Sequence, residues 1–310
     1  MELNNIIHTN PEDLLDFHPD FFIAASGYET RARFIPGKLK HLDCEKIAFG
    51  FDEHLNDISR PENDKYFKDQ GFRQIIQKTH SSPNYETLFG GIESKRVHVL
   101  IDISVMTRDW YHGLLKYLQG NVDFDHFHLR IVYCPGIYNE PTRLKKNISL
   151  KKFTFNGDLL NNRKENKKTA LILGLGNERN ISEKIHNIIG PDETVLFYAD
   201  PTINKKYVEN VFVNNHGLIN KTPIRFLKGY PLQNTKLIYQ LLIDTLLPLR
   251  QEYKIVIVPQ GPKIFSLLSM IFQISYPDIE LLYPSYKVKK IKDRKPSDRF
   301  ISLDLEFDSE

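Results

Sequence analysis

Cysteine is scarce in these 310 residues. Cys44 and Cys134 are the two present, with no C-x-x-C pair and no His/Cys spacing that suits zinc. That excludes a disulfide scaffold and a zinc finger, and a reduced, cytoplasmic protein is expected. Long apolar runs are lacking as well. No window approaches the roughly 18 apolar residues of a membrane-spanning helix, and Met1-Glu2-Leu3-Asn4-Asn5 lacks the basic and apolar regions of a secretory leader. No membrane partner is expected. Neither charge sign dominates: 42 Lys and Arg face 39 Asp and Glu, for a net +3 that by itself implies no nucleic-acid partner. The common catalytic signatures are also missing, among them G-x-S-x-G, the phosphate-binding P-loop and H-E-x-x-H. Histidines are scattered, and His126 and His128, flanking a strand, read as surface groups rather than metal ligands. No metal is expected.

What is present describes a folded protein. A hydrophobic share of 41% with 12% aromatic residues argues against disorder, and the length suits two domains. The chain is organised around a stretch that occurs twice, an apolar strand followed by a small glycine turn, an acid and an arginine. It runs Phe21-Phe22-Ile23-Ala24-Ala25-Ser26-Gly27-Tyr28-Glu29-Thr30-Arg31 and again Ala170-Leu171-Ile172-Leu173-Gly174-Leu175-Gly176-Asn177-Glu178-Arg179. Runs this short and this apolar read as buried parallel strands, and glycine lets the backbone turn sharply where they end.

The elements between follow a strand–helix alternation. Strands are expected at Lys46–Phe51, Val97–Ser104 and Phe127–Tyr133 in the first half, with a helix from about Asp109 to Gly120. Phe72–Thr79 fits a strand or a helix equally. In the second half, helices are expected at Ile181–Ile189, about Ile203–Val213, Thr235–Leu247 with its end at Pro248, and Ile264–Ile274. Strands are expected at Thr194–Ala199, Lys254–Val258 and Ile279–Tyr283. The charged stretch Asn161–Lys168 marks the junction, giving domains 1–160 and 161–310, and the acidic tail Asp304–Glu310 is expected to fray. The fold class is therefore α/β, as two tandem Rossmann-like domains with mainly parallel sheets. Gly27 lies 25 positions before Asp52, and Gly176 lies 24 before Asp200, each acid tipping the second strand of its half; this spacing points to an internal duplication.

In such sheets, ligands bind beyond the carboxyl ends of the strands, where strand order reverses. The candidate ligand-binding residues all fall at strand ends. They are Gly27, Tyr28, Glu29, Arg31, Asp52, Asp102, Ser104, Thr107 and Arg108 in the first half. In the second they are Gly174, Gly176, Asn177, Glu178, Arg179, Asp200, Gln260, Gly261 and Lys263. Arg31, Arg108, Arg179 and Lys263 are placed to contact phosphates, Asp52 and Asp200 to accept from sugar hydroxyls, and Ser104, Thr107 and Asn177 to orient the ligand. Gly174-Leu175-Gly176-Asn177-Glu178-Arg179 opens like the dinucleotide pattern G-x-G-x-x-G, but Arg179 holds the third glycine position, which argues against ordinary NAD or FAD binding.

The loop Asp102-Ile103-Ser104-Val105-Met106-Thr107-Arg108 resembles the loop after the fourth strand of CARF domains, the CRISPR-associated Rossmann-fold sensors. Asp102, Ser104, Thr107 and Arg108 match that pattern, while Val105 and Met106 stand where the family has glycines. SAVED sensors resemble two such domains in one chain. The resemblance implies a cyclic oligonucleotide or related nucleotide signal in prokaryotic antiviral defence, sensed at loops between the two halves. Output would then pass to a separate effector protein or to a change in homo-oligomeric assembly. Two other readings stay open: a nucleotide-processing hydrolase or glycosidase working through Glu29, Arg31, Asp52 and Asp102, and a non-catalytic scaffold whose loops are only turns. The basic run Lys287–Lys295 could touch a nucleic-acid backbone, though a solvated segment is the expectation.

Overall fold

The computed structural model describes residues 1–9, 11–14, 16–120, 124–140, 148–153, 167–285 and 291–309. They divide into two compact units, Met1–Ile137 with Lys292–Glu310, and Tyr138–Ile291. In the first unit the chain forms β1 (Glu2–Thr9), β2 (Phe21–Ser26), α1 (Phe34–Lys38), β3 (Glu45–Phe51), α2 (Arg60–Asp69), β4 (Arg73–Gln77), α3 (Tyr85–Phe89), β5 (Arg96–Asp102), α4 (Arg108–Leu118) and β6 (His126–Tyr133). The second unit contains β7 (Ser149–Phe153), β8 (Thr169–Gly174), α5 (Ile181–Ile189), β9 (Glu193–Ala199), α6 (Lys205–Asn214), α7 (His216–Ile219), β10 (Leu227–Tyr230), α8 (Thr235–Glu252), β11 (Lys254–Val258), α9 (Lys263–Ser275) and β12 (Glu280–Ser285). The chain then returns to the first unit as β13 (Ile301–Asp308).

The first sheet runs β1-β13-β6-β5-β2-β3-β4 and the second β10-β9-β8-β11-β12-β7. Strands β2 to β6 are mutually parallel, and so are β8 to β12. Counted along the chain within each unit, the parallel strands take the same spatial order, 3-2-1-4-5, with an antiparallel strand beside the fifth. That order reverses between β2 and β5 in one unit and between β8 and β11 in the other. β2 is buried at all six positions, the signature of a strand covered on both faces. Every residue of α9 from Ile264 to Ile274 is buried, as an all-round apolar helix requires.

Several expectations are corrected by this architecture. The junction does not divide the chain at 160, because the last segment folds back into the first sheet; residues 161–166 of the expected linker lie outside those described. From Asp304 to Asp308 the acidic tail is strand rather than a frayed end. Ile301, Leu303, Leu305 and Phe307 alternate with Ser302, Asp304 and Glu306, and the strand they form lies between β1 and β6. Its acids are matched by basic groups on β6: Arg130 donates to both oxygens of Asp304 at 2.7 Å, and a ring nitrogen of His128 lies 2.8 Å away. Burial opposes ionisation of Asp304, yet those bonds hold its carboxyl below the usual range. Pro248 does not end α8, which runs on to Glu252 with the proline exposed. The ambiguous stretch near Phe72 is the strand β4, and β1, β7 and β10 are strands the sequence pattern did not reveal. Among the described residues, no helix is long and apolar enough to cross a membrane.

Candidate functional site

In the first unit, the predicted residues are drawn into two hydrogen-bonded knots. One links the ends of β2, β5 and β6. Arg31, only 2% exposed, donates from Nε to Glu29 at 2.5 Å and from Nη1 to the Cys134 carbonyl at 2.9 Å. The Cys134 N–H donates to Ser104 Oγ at 2.8 Å, and Ser104 donates its hydroxyl and its N–H to Asp102 Oδ1. Burial works against the charge on Arg31, but Glu29 more than restores it, so the guanidinium stays ionised above its ordinary range. The same burial pushes the Cys134 thiol up to about 11, which makes it a packed apolar group rather than a nucleophile.

The second knot is at the tips of β3 and β4. Asp52 Oδ1 accepts from the N–H and the hydroxyl of Thr79, each at 3.1 Å, while Thr107 donates to the Thr79 carbonyl at 3.0 Å. Asp52 and Thr107 thus meet on one residue that carries no motif. Gly27 is buried, and a Cβ there would come within 3.2 Å of Phe51. Tyr28, half-buried, sits edge-on to His54 at 5.5 Å between centroids; burial, then Glu29, raises its pKa. Arg108 opens α4.

These contacts correct the roles expected of Arg31, Glu29, Asp102 and Ser104. All four are buried: Glu29 and Asp102 bond within their own loops, Arg31 and Ser104 also reach the Cys134 loop, and a phosphate contact from Arg31 would break a buried ion pair. The acid–base roles considered for Glu29 and Asp102 are opposed for the same reason: one carboxylate is neutralised and the other accepts two local donors.

The second unit has a different arrangement. Gly174 closes β8 so tightly against the β11 loop that a Cβ would lie 2.6 Å from the Gln260 carbonyl oxygen and 2.9 Å from its nitrogen. Gly261 has φ +85°, and a Cβ there would lie 2.7 Å from the Leu175 carbonyl and 3.4 Å from the Tyr207 hydroxyl. Both positions require glycine, one for space and the other for backbone conformation as well. The structure therefore brings Gly174, Gly176, Glu178, Gln260 and Gly261 together where strand order reverses. Asn177 lies in the same turn and Lys263 begins α9, whereas Arg179 and Asp200 are exposed, with Asp200 at the tip of β9.

Sequence reasoning missed the groups that shape both turns. Asn63 Nδ2 on α2 donates to the carbonyls of Gly27 (2.7 Å) and Glu29 (3.0 Å). Asn215, just after α6, donates to the Gly176 carbonyl at 2.8 Å, and Asn214 to the Asn177 carbonyl at 2.7 Å. Each clamp is a buried asparagine beyond the second parallel strand, 36 residues after its glycine in one unit and 39 in the other. Ser26, Asp64 and Arg60 form a further unanticipated cluster, with Arg60 Nε 2.8 Å from Asp64 Oδ1 and Ser26 Oγ donating to that oxygen at 2.5 Å.

Comparison with known proteins adds little to this geometry. No protein-family profile and no curated protein matches the chain. Among solved structures, the cytoplasmic domain of a prokaryotic cation chloride cotransporter aligns over 86% of this chain and 95% of its own, at 10% identity and a TM-score of 0.25. A likeness of that size carries no argument about fold or function.

Proposed function

We propose that this protein binds a nucleotide-type ligand as a sensor, at the strand-end loops where strand order reverses. The observation that carries this reading is the packing of the Gly174–Gly176 turn against Gln260–Gly261. Two glycine-dependent loops meet at the position where open α/β sheets bind ligands. The matching strand order and the paired asparagine clamps favour an origin by duplication. Arg179 and Lys263 supply cationic side chains in this unit, and Arg108 supplies one at the strand-end loops of the other, for phosphates. The internal pairing of Glu29, Asp52 and Asp102 favours a binding role over hydrolysis, since a general acid or base needs a proton within reach of substrate. The antiviral setting, with a cyclic oligonucleotide signal and a separate effector, rests on the resemblance of Asp102, Ser104, Thr107 and Arg108 to CARF domains.

A thermal-shift screen with mono-, di- and cyclic oligonucleotides, followed by chromatography of each ligand, tests the proposal. Stabilisation with the ligand recovered intact is the expected result. Product formation would replace the sensor with a hydrolase, and no shift with any phosphate compound would leave a scaffold.

A further inference from the structure

The bare face of Gly176 is surrounded by polar groups of a particular kind. The three heavy atoms nearest to where a side chain would begin are Glu178 Oε2 at 2.5 Å, the Gly261 nitrogen at 3.6 Å and Gln260 Oε1 at 3.7 Å. Gln260 is 4% exposed, and its Nε2 is buried without a hydrogen-bond partner among the described residues. An orphaned amide donor in a buried position costs free energy that a bound acceptor would recover. Beside it, the phenol of Tyr207 lies 3.4 Å from the bare face of Gly261. The convergent groups are thus one carboxylate, one carboxamide, one phenol and a backbone nitrogen.

A glycine turn usually favours phosphate because its N–H groups carry positive potential. Here a carboxylate stands on the glycine itself, and a second anion close to it would be repelled. A neutral group that both donates and accepts suits the same atoms: its O–H donates to Glu178, and its lone pairs accept from backbone N–H, or from Gln260 Nε2 once the carboxamide, which now presents Oε1 to the glycine, rotates to present its amide end.

We infer that the Gly176 turn binds the hydroxyl-bearing, sugar part of a nucleotide-type ligand rather than a phosphate, with Glu178 accepting from a vicinal diol and Gln260 donating to it. This rests on the reading of the chain as a nucleotide binder and assigns the sugar to the glycine turn, leaving phosphates to cations outside it.

The test is a titration followed through the backbone amide resonances of Gly176 and Gly261. The probes are ATP, 2′,3′-dideoxy-ATP and inorganic triphosphate, against the wild-type chain and the Glu178→Gln and Gln260→Leu variants. ATP is expected to move both resonances, dideoxy-ATP to need at least a tenfold higher concentration, and triphosphate to leave them in place. Each variant should weaken ATP at least tenfold and reduce the preference for the hydroxylated form. Equal responses to ATP and dideoxy-ATP, or a response to triphosphate, would overturn the assignment while leaving nucleotide binding intact. Silence of every amide in both units toward ATP and toward every compound of the thermal-shift screen would overturn the nucleotide reading together with it.

Discussion

Asn215 holds the Gly176 turn from beneath: its Nδ2 donates to the Gly176 carbonyl at 2.8 Å and to the Val211 carbonyl at 2.7 Å. One side chain thereby ties the end of α6 to the loop after β8. Removing it by Asn215→Ala deletes two neutral hydrogen bonds, each worth about 1 kcal/mol net. The expected loss is about 2 kcal/mol, read as faster amide exchange across β8 and β9. Asn215→Asp should do no better, because a carboxylate has no N–H to give to either carbonyl.

Gly261 and Gly190 make a controlled pair. Both have left-handed backbone, at φ +85° and +57°, but an added Cβ at Gly190 would meet nothing within 4 Å, while at Gly261 it would lie 2.7 Å from the Leu175 carbonyl. Gly190→Ala should cost about 1 kcal/mol, the conformational penalty alone. Gly261→Ala should cost clearly more in urea denaturation, and should also disturb the loop that faces Gly176.

Arg31 is expected to behave as a structural residue. Arg31→Ala leaves Glu29 buried, with Arg294 as a cationic neighbour at 3.9 Å, and opens the link to Cys134. Loss of one partner from a buried pair costs about 3 kcal/mol. Trp110, the single tryptophan, is fully buried in the same unit and stacks on Phe51 at 4.4 Å, so its fluorescence reports that unit's unfolding. A variant with unchanged unfolding but weakened nucleotide binding would restore Arg31 as a ligand contact.

Asp304 predicts a pH dependence. Its folded pKa lies below the ordinary value of 3.8, so its pairing stabilises the fold above that pH and is lost as the pH falls through the folded value. Arg130, its principal partner, also packs over Phe17 at 4.3 Å and donates to the Asp13 carbonyl at 2.7 Å. Asp304→Asn should lower stability by about 3 kcal/mol at pH 7. The difference between variant and wild type should shrink in denaturation experiments below pH 3.8.

The inner parallel strands of both units were legible in the chain because full burial on two faces demands continuous apolar runs, and Phe22-Ile23-Ala24-Ala25 and Leu171-Ile172-Leu173 are such runs; the outermost parallel strands, β4 and β10, are only partly buried and carry no such run. The order of the strands was not legible, since hydrogen bonding between strands depends on neighbours distant in sequence. The tail illustrates the limit. Asp304, Glu306 and Asp308 have the composition of a solvated acidic end, but their strand lies between β1 and β6, where Arg130, His128 and His126 meet Asp304 and Asp308. Composition alone could not supply those partners, which lie 174 to 182 residues away.

The same division holds at the site. Gly174, Gly176, Gln260 and Gly261 could be singled out from strand-end position, because the carboxyl ends of parallel strands collect loops on one edge of the sheet. Which polar groups remain available to a ligand was decided only by the tertiary structure. Arg31 and Asp102 are consumed by contacts with Glu29, Ser104 and Cys134, whereas Gln260 keeps a buried donor that no group among the described residues answers. Residue type specifies what a side chain can bond, and only the packed chain determines whether something already bonds it.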